Sequence, residues 1–312
     1  MKALSYNRFG EADVLGFADL PEPSAGEADV VVSIEARSVN LIDIRVRKGM
    51  MGPLVSKRFP KVPGADFAGT VTAIGTKVRD LHIGARVFGA SDPFKGGAFA
   101  ERIAVPSGQV AITPDGLSSS DAAALPIAGL AALQSLRDLG HVTSGQKVLV
   151  HGATGPVGLM AVQLAKLLGA HVTAVGGAGL DVARSFGADV LVDYRSGQTV
   201  PPGATFDVIL NASGKMPYLV GERLLVPAGK LIEPSPTIPV FVGSKIANLF
   251  RRRKHLVLAT QVRRVDLDYL GKLVADGAIK PVIAASFGFE QSLQAISMVE
   301  RGGAVGKVVV TG

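Results

Sequence analysis

The stretch Leu149-Val150-His151-Gly152-Ala153-Thr154-Gly155-Pro156-Val157-Gly158 has the residue types and spacing to hold an anionic ligand. An apolar run ends in a turn of small residues, and an amphipathic segment from Leu159 to Lys166 follows. That order predicts a buried strand over 147–150, a glycine-rich turn and a helix. Such a turn presents free backbone N–H groups and the positive end of a helix to one point, which suits a dinucleotide pyrophosphate. Ala153, Thr154, Gly155, Pro156, Val157 and Gly158 are therefore the candidate phosphate contacts. A second strand over 171–175 supplies the βαβ context; without it the motif would be a tight turn of any α/β protein.

The end of that second strand bears on which nucleotide is held. A nicotinamide dinucleotide without a 2′-phosphate usually meets an acidic residue there, roughly 20 residues past the fingerprint. Here the chain reads Val175-Gly176-Gly177-Ala178-Gly179, a roomy turn at Gly176 with no carboxylate. Two further apolar runs, 208–210 and 230–232, are followed by Asn211 and Ser213 and by Pro234 and Ser235. Ligands bind outside the carboxyl ends of parallel strands, so these four residues are candidates for the nicotinamide side.

The elements that must position these residues follow from texture. Residues 1–118 read as all-β: apolar alternation marks strands at 30–36, 69–75 and 85–89, punctuated by Pro, Gly and Asp turns. Ser118-Ser119-Ser120-Asp121 caps a helix, after which strand-like and helical runs alternate to about residue 258. Regular βα alternation predicts a parallel sheet covered on both faces. At 312 residues, two domains are expected. The class is α/β: a β-rich domain from 1–118 and 259–312, with a doubly wound dinucleotide-binding domain at 119–258 inserted between.

Composition narrows the function. The chain has no cysteine, which excludes disulfides and thiolate zinc sites. Its formal charge of +7 attracts anions in general. Aromatic residues are only 5% and are not interleaved with basic ones, so nucleic acid is not an expected partner. The N-terminus begins as a strand and no apolar run is long enough to cross a bilayer, so a cytoplasmic protein is expected.

Several stretches taken together resemble the zinc-free branch of the medium-chain dehydrogenase/reductase superfamily, that of quinone oxidoreductases and alkenal or enone reductases. They are Ser38-Val39-Asn40-Leu41-Ile42-Asp43, Pro63-Gly64-Ala65-Asp66-Phe67-Ala68-Gly69, His82 to Gly89, Gly97-Ala98-Phe99-Ala100-Glu101 and the glycine turn. Gly187-Ala188-Asp189-Val190 with Asp193-Tyr194, and the closing Gly306-Lys307, complete the set. Lys57-Arg58-Phe59-Pro60 and the run Ala124 to Leu130 are similar to the subgroup of chloroplast-envelope quinone oxidoreductase homologues. The resemblance implies a GroES-like β-barrel catalytic domain joined to a Rossmann domain.

It also implies roles. Zinc-dependent relatives carry a Cys at the position of Leu41 or Ile42 and a His-Glu pair at Ala65-Asp66; neither zinc ligand is present here, and no metal site is expected. Without a Lewis acid, the implied chemistry is hydride transfer from NADPH, or from NADH, to a quinone or to the C=C bond of an α,β-unsaturated carbonyl. Asn40 is the first candidate beside the nicotinamide. Asp43 orients its segment more than it ionises, and Arg45 stands where alkenal reductases place a Lys. Tyr194 matches a tyrosine that touches the 2′-phosphate in relatives, with Arg195 beside it, and Lys307 is either a cofactor-side or a surface lysine. A homodimer is implied by the branch.

A non-catalytic nucleotide sensor or scaffold is the competing reading, supported by Ala131 where the family commonly has Thr and by the uncharged turn at 175–179. The run Arg251-Arg252-Arg253-Lys254, after the apolar-polar segment 241–250, would give a weak peripheral contact with anionic lipid; a solvated face is the simpler account.

Overall fold

Period-two alternation in Val30-Val31-Val32-Ser33-Ile34 and Phe67-Ala68-Gly69-Thr70-Val71 brings two long strands together as an antiparallel pair. This pair frames the first of two compact units in the computed structural model, which describes residues 1–197, 200–234, 244, 248 and 252–312. The first unit comprises Met1–Ile127, Gln261–Gly277 and Pro281–Gly312, and the second Ala128–Thr260 and Ala278–Lys280. Ser235, Arg251 and most of the segment 241–250 lie outside the described residues.

The first unit opens with β1 (Lys2–Ser5), β2 (Gly16–Asp19), β3 (Asp29–Ser38), β4 (Asp66–Ile74), β5 (Arg86–Ala90), β6 (Arg102–Pro106) and β7 (Val110–Ile112). Residues 1–118 are not all-β, because helix α1 (Leu41–Arg47) follows β3. Asn40 and Asp43 nucleate it through a capping box, in which the Asp43 carboxylate accepts the Asn40 N–H at 2.8 Å. Helix α2 (Ser119–Ala123) begins at the expected cap, with the Ser118 hydroxyl accepting the Asp121 N–H. The expected boundary at 118 gave this helix to the dinucleotide domain. It lies instead with the first unit, where Ala122 and Ala123 are buried and the helix packs on β3 and β4.

Helix α3 (Pro126–Leu133) leads into the second unit. There β8 (Lys147–His151), α4 (Pro156–Leu167), β9 (His171–Gly176), α5 (Leu180–Ser185) and β10 (Val190–Asp193) are followed by β11 (Phe206–Asn211), α6 (Tyr218–Arg223), β12 (Leu225–Glu233) and β13 (Lys254–Val257). The strands form one parallel sheet in the order β10-β9-β8-β11-β12-β13. Strand order reverses between β8 and β11, the switch point where such sheets bind ligands. Val148, Leu149, Val150, Ile209, Leu210, Leu231 and Ile232 are fully buried, as both covered faces of a parallel sheet require.

The chain then returns to the first unit through a helix (Arg264–Ala275), β14 (Ile283–Gly288), a second helix (Ser292–Arg301) and β15 (Lys307–Thr311). Strand β15 pairs antiparallel with β3, with Val309 opposite Ser38, so the last strand closes the sheet that the early strands began.

In the second unit α4 rests directly on the turn before it. A Cβ at Gly158 would stand 2.1 Å from the Gly152 carbonyl oxygen and 2.6 Å from Ala153 Cα, and backbone cannot yield as a side chain does. Gly158→Val is expected to lower stability by about 1–3 kcal/mol, the usual cost of overpacking, read as a drop in the urea midpoint. An unchanged midpoint would mean that the helix is not seated on this turn.

Candidate functional site

Both units carry constellations of polar groups. In the first, the Asp66 carboxylate is fully buried at the start of β4 and gathers donors from four elements. Its Oδ1 accepts the Ile127 N–H at 2.9 Å. Its Oδ2 lies 2.9 Å from the Ser38 hydroxyl at the end of β3, 2.9 Å from Asn40 Nδ2 and 2.9 Å from the Lys307 ammonium at the start of β15. Lys307 also donates to Asn40 Oδ1 at 2.5 Å. The structure thus brings Asn40, Asp43 and Lys307 together around Asp66, a residue absent from the expected site. Lys307, 2% exposed, is not a surface lysine.

Asp43 sits just outside this ring. Burial, reinforced by the nearby Asp66 charge and opposed by its bond from the Asn40 N–H, pushes its pKa from 3.8 up to about 7. Two carboxylates near one buried ammonium cannot both ionise cheaply, so Asp43 holds its proton well above the usual carboxylate range. Its Oδ1 has no hydrogen-bond partner. Arg45 is half-buried on the same helix. Its neighbour Arg47 is buried and donates to both Glu300 carboxylate oxygens at 3.0 and 3.1 Å.

The second unit carries the glycine turn at the carboxyl end of β8. Gly152 takes a left-handed φ of 86°, and a Cβ there would press within 2.8 Å of Ser213. Gly155 is the N-cap of α4 and gives it no side-chain hydrogen bond; a Cβ at Gly155 would meet only the Gly152 carbonyl oxygen, at 3.6 Å. The turn is therefore closed by protein at Gly152 and Gly158 and open at Gly155. That pattern, with an uncapped helix start beyond Ala153 and Thr154, fits a pyrophosphate. Pro156 occupies the first helical position and Val157 the next.

Tyr194 is 62% exposed, and its hydroxyl lies against the turn after β9, 2.6 Å from where a Cβ on Gly177 would stand. Register sets Asp193 directly opposite Gly176, so the uncharged second strand has a carboxylate for a neighbour that reading β9 alone does not reveal. Arg195 answers it with a two-pronged contact, Nε to Oδ1 at 3.0 Å and Nη2 to Oδ2 at 2.7 Å, which holds the Asp193 carboxyl below the usual range. The Asn211 side chain, expected at a ligand, is fully buried and bonded to Met216 and Glu233. Pro234 follows the end of β12.

The positions implied for zinc donors hold Leu41, Ile42 and Ala65, which have no donor atom. Among the described residues no three His, Asp or Glu side chains are grouped to hold a metal ion. No helix among the described residues is long and apolar enough to cross a membrane.

Comparison with known proteins gives a consistent set. The family description "Alcohol dehydrogenase GroES-like domain" matches residues 26–115, and "Zinc-binding dehydrogenase" matches residues 186–310. The chain is 32% identical to the chloroplast envelope quinone oxidoreductase homolog of Arabidopsis thaliana, over 99% of this chain and 98% of that protein. It is 34% identical to the 2-methylene-furan-3-one reductase of Solanum lycopersicum, over 99% of this chain and 79% of that one. The solved structure of a quinone oxidoreductase from Coxiella burnetii superposes with a TM-score of 0.90 at 28% identity, covering 100% of this chain and 99% of that one. One expectation is overturned here. The relative from Arabidopsis thaliana is named for the chloroplast envelope, so the cytoplasmic placement is withdrawn.

The displaced proton equilibrium of Asp43 has a measurable sign. Its folded pKa, about 7, lies above the unfolded value near 3.8, so the native state binds the extra proton. Stability from this group is present at low pH and is lost as pH rises through that window. Urea unfolding from pH 4 to 8 should show the wild type losing stability relative to Asp43→Asn, which keeps a neutral group in the capping position. A constant difference across the range would place the Asp43 proton elsewhere.

Proposed function

Because the chain belongs to the medium-chain dehydrogenase/reductase family, among its quinone oxidoreductases, we propose that it is an NADPH-dependent reductase of quinones and of the C=C bond of α,β-unsaturated carbonyls. The observation that carries this reading is the open glycine turn at Gly155, set at the strand-order switch of a six-stranded parallel sheet. The relatives named for quinone and furanone reduction support the substrate class.

When bound, a reduced nicotinamide supplies hydride to an electrophilic carbon conjugated with a carbonyl. The chain contributes placement and charge. Backbone from Ala153 to Gly158 holds the pyrophosphate, with the α4 N-terminus offsetting its charge. In the first unit the Lys307 ammonium has three protons and spends two on Asp66 and Asn40, while the Asn40 amide has two and gives one to Asp66. The remaining donors suit an oxygen that gains negative charge as the conjugated system is reduced. Asp66 and Asn40 hold the Lys307 side chain in place, so no reorganisation is needed when that charge develops. Asp43 is a positioning residue that holds Asn40 through its backbone N–H.

NADPH is favoured over NADH because the carboxylate set opposite Gly176, Asp193, is offset by Arg195. The Arg195 guanidinium retains donors beyond those that Asp193 takes. The Tyr194 hydroxyl at Gly177 adds a further donor for a 2′-phosphate.

The direct test follows absorbance loss of NADPH and NADH with a 1,4-quinone and with an enone; no turnover with either acceptor would overturn the reading. Gly155→Asp is expected to fold normally, since space is open there, yet to lose NADPH binding through charge repulsion at the phosphates. Unimpaired binding in that variant would move the pyrophosphate elsewhere. Tyr194→Phe combined with Arg195→Ala is expected to weaken NADPH roughly tenfold to a hundredfold, the scale of a charge-assisted phosphate contact of about 1.5–3 kcal/mol, while sparing NADH. Equal losses for both nucleotides would show that preference is set at another point.

A further inference from the structure

A chain of side chains links the carboxyl ends of β8, β11 and β12, and the reaction above leaves it without a role. Asn211 is its fixed point. Nδ2 donates to the Met216 carbonyl oxygen at 3.1 Å and to Glu233 Oε1 at 2.8 Å, and Oδ1 accepts the Met216 N–H at 3.3 Å. Turning the amide over would set an oxygen against two acceptors, so its orientation is determined. Ser213 comes next. Its hydroxyl oxygen accepts the Lys215 N–H at 3.0 Å and lies 3.1 Å from Asn211 Oδ1, which takes the single hydroxyl proton.

His151 closes the chain, with Nδ1 2.6 Å from that same Ser213 oxygen. With the hydroxyl proton on Asn211 Oδ1, the 2.6 Å contact is a hydrogen bond when Nδ1 carries a proton and donates it, the one assignment that gives both contacts a proton. Nε2 is then bare in the neutral ring, and among the described residues it has no hydrogen-bond partner. Burial, with the Lys215 charge adding to it and the Asn211 contact opposing, lowers the His151 pKa, so the ring is neutral at neutral pH. A bare ring nitrogen accepts a hydrogen bond and repels phosphate oxygens. His151 ends β8 immediately before the turn and leans toward the segment after β11. That is the half of the sheet opposite β9 and β10, where the 2′-phosphate side is placed above.

We infer that His151 is a nucleotide-binding residue whose Nε2 accepts a hydrogen bond from a ribose hydroxyl or carboxamide N–H of the nicotinamide half, and that Ser213, Asn211 and Glu233 hold the ring in the tautomer that makes this possible. The inference rests on the nucleotide reading of the glycine turn, and it gives Asn211 and Ser213 positioning roles at the ligand instead of direct contacts.

The test uses the full chain, labelled with nitrogen-15 histidine, and NADPH as the probe. In the free protein the His151 ring should show a protonated Nδ1 and a bare Nε2, and NADPH should shift the Nε2 resonance. Ser213→Ala should give a mixture of tautomers, a change that a merely structural serine would not cause. His151→Phe keeps a flat ring; with its fold verified by circular dichroism, it should bind NADPH roughly threefold to tenfold more weakly by calorimetry, the scale of one neutral hydrogen bond. A protonated Nε2 in the free protein, a resonance indifferent to NADPH, or full affinity in His151→Phe would each overturn the inference. If the wild type binds NADPH and Gly155→Asp does not, those results would leave the pyrophosphate site standing. A wild type that fails to bind NADPH removes both.

Discussion

The first unit is organised by one buried carboxylate. Asp66 has no access to solvent, and a charge so placed is tolerated only with a partner and a full set of hydrogen bonds. Meeting that demand recruits the end of β3 through Ser38, the cap of α1 through Asn40, the start of α3 through the Ile127 N–H and the start of β15 through Lys307. Removing one member of such a pair generally costs about 3–5 kcal/mol, because the other charge is stranded. The arrangement is therefore both a fold lock and a source of preorganised donors. Asn40 and Lys307, 267 positions apart in sequence, are fixed against each other by a requirement that has nothing to do with substrate.

What could be read from the sequence depended on how local the cause was. The parallel sheet was legible because each strand is a short apolar run between helical ones, and the glycine turn because its constraint lies within ten neighbouring residues. Helix α1 was not. Ile42, Ile44 and Val46 alternate with Asp43, Arg45 and Arg47, which is the period of a strand; the capping box at Asn40 and Asp43 overrides that pattern. Asp66 lies within one of the family-like motifs, yet nothing local marks its role, since its partners come from distant elements. A carboxylate directly after Ala65 at the start of an apolar strand was the available signal, and the closing Lys307 its charge complement. Asp193 escaped for another reason: it faces Gly176 only through strand register.

The two units use charge in opposite manners. At the carboxyl edge of the second unit, Asp193 and Arg195 form an exposed pair whose worth to stability is small, since solvent screens it. Its effect is local: Arg195 offsets the Asp193 charge and keeps further guanidinium donors at that edge. In the first unit the Asp66–Lys307 pair is desolvated, so its field is felt at short range with little screening. Asp43 beside it has its pKa raised chiefly by burial, with the Asp66 charge adding to the shift and Lys307 opposing it.

That balance bears on which reductions the chain can assist. A metal Lewis acid withdraws electrons from an oxygen it ligates and thereby makes an alcohol acidic. An ammonium and an amide do neither; they only hydrogen-bond, and they bond better to an oxygen as it becomes negative. The gain goes to reactions in which a carbonyl oxygen acquires negative charge, conjugate reduction of an enone or a quinone among them. With Leu41, Ile42 and Ala65 supplying no metal ligand and Asp66 committed to Lys307, the donors fixed at Asn40 and Lys307 are of the kind that such differential stabilisation requires.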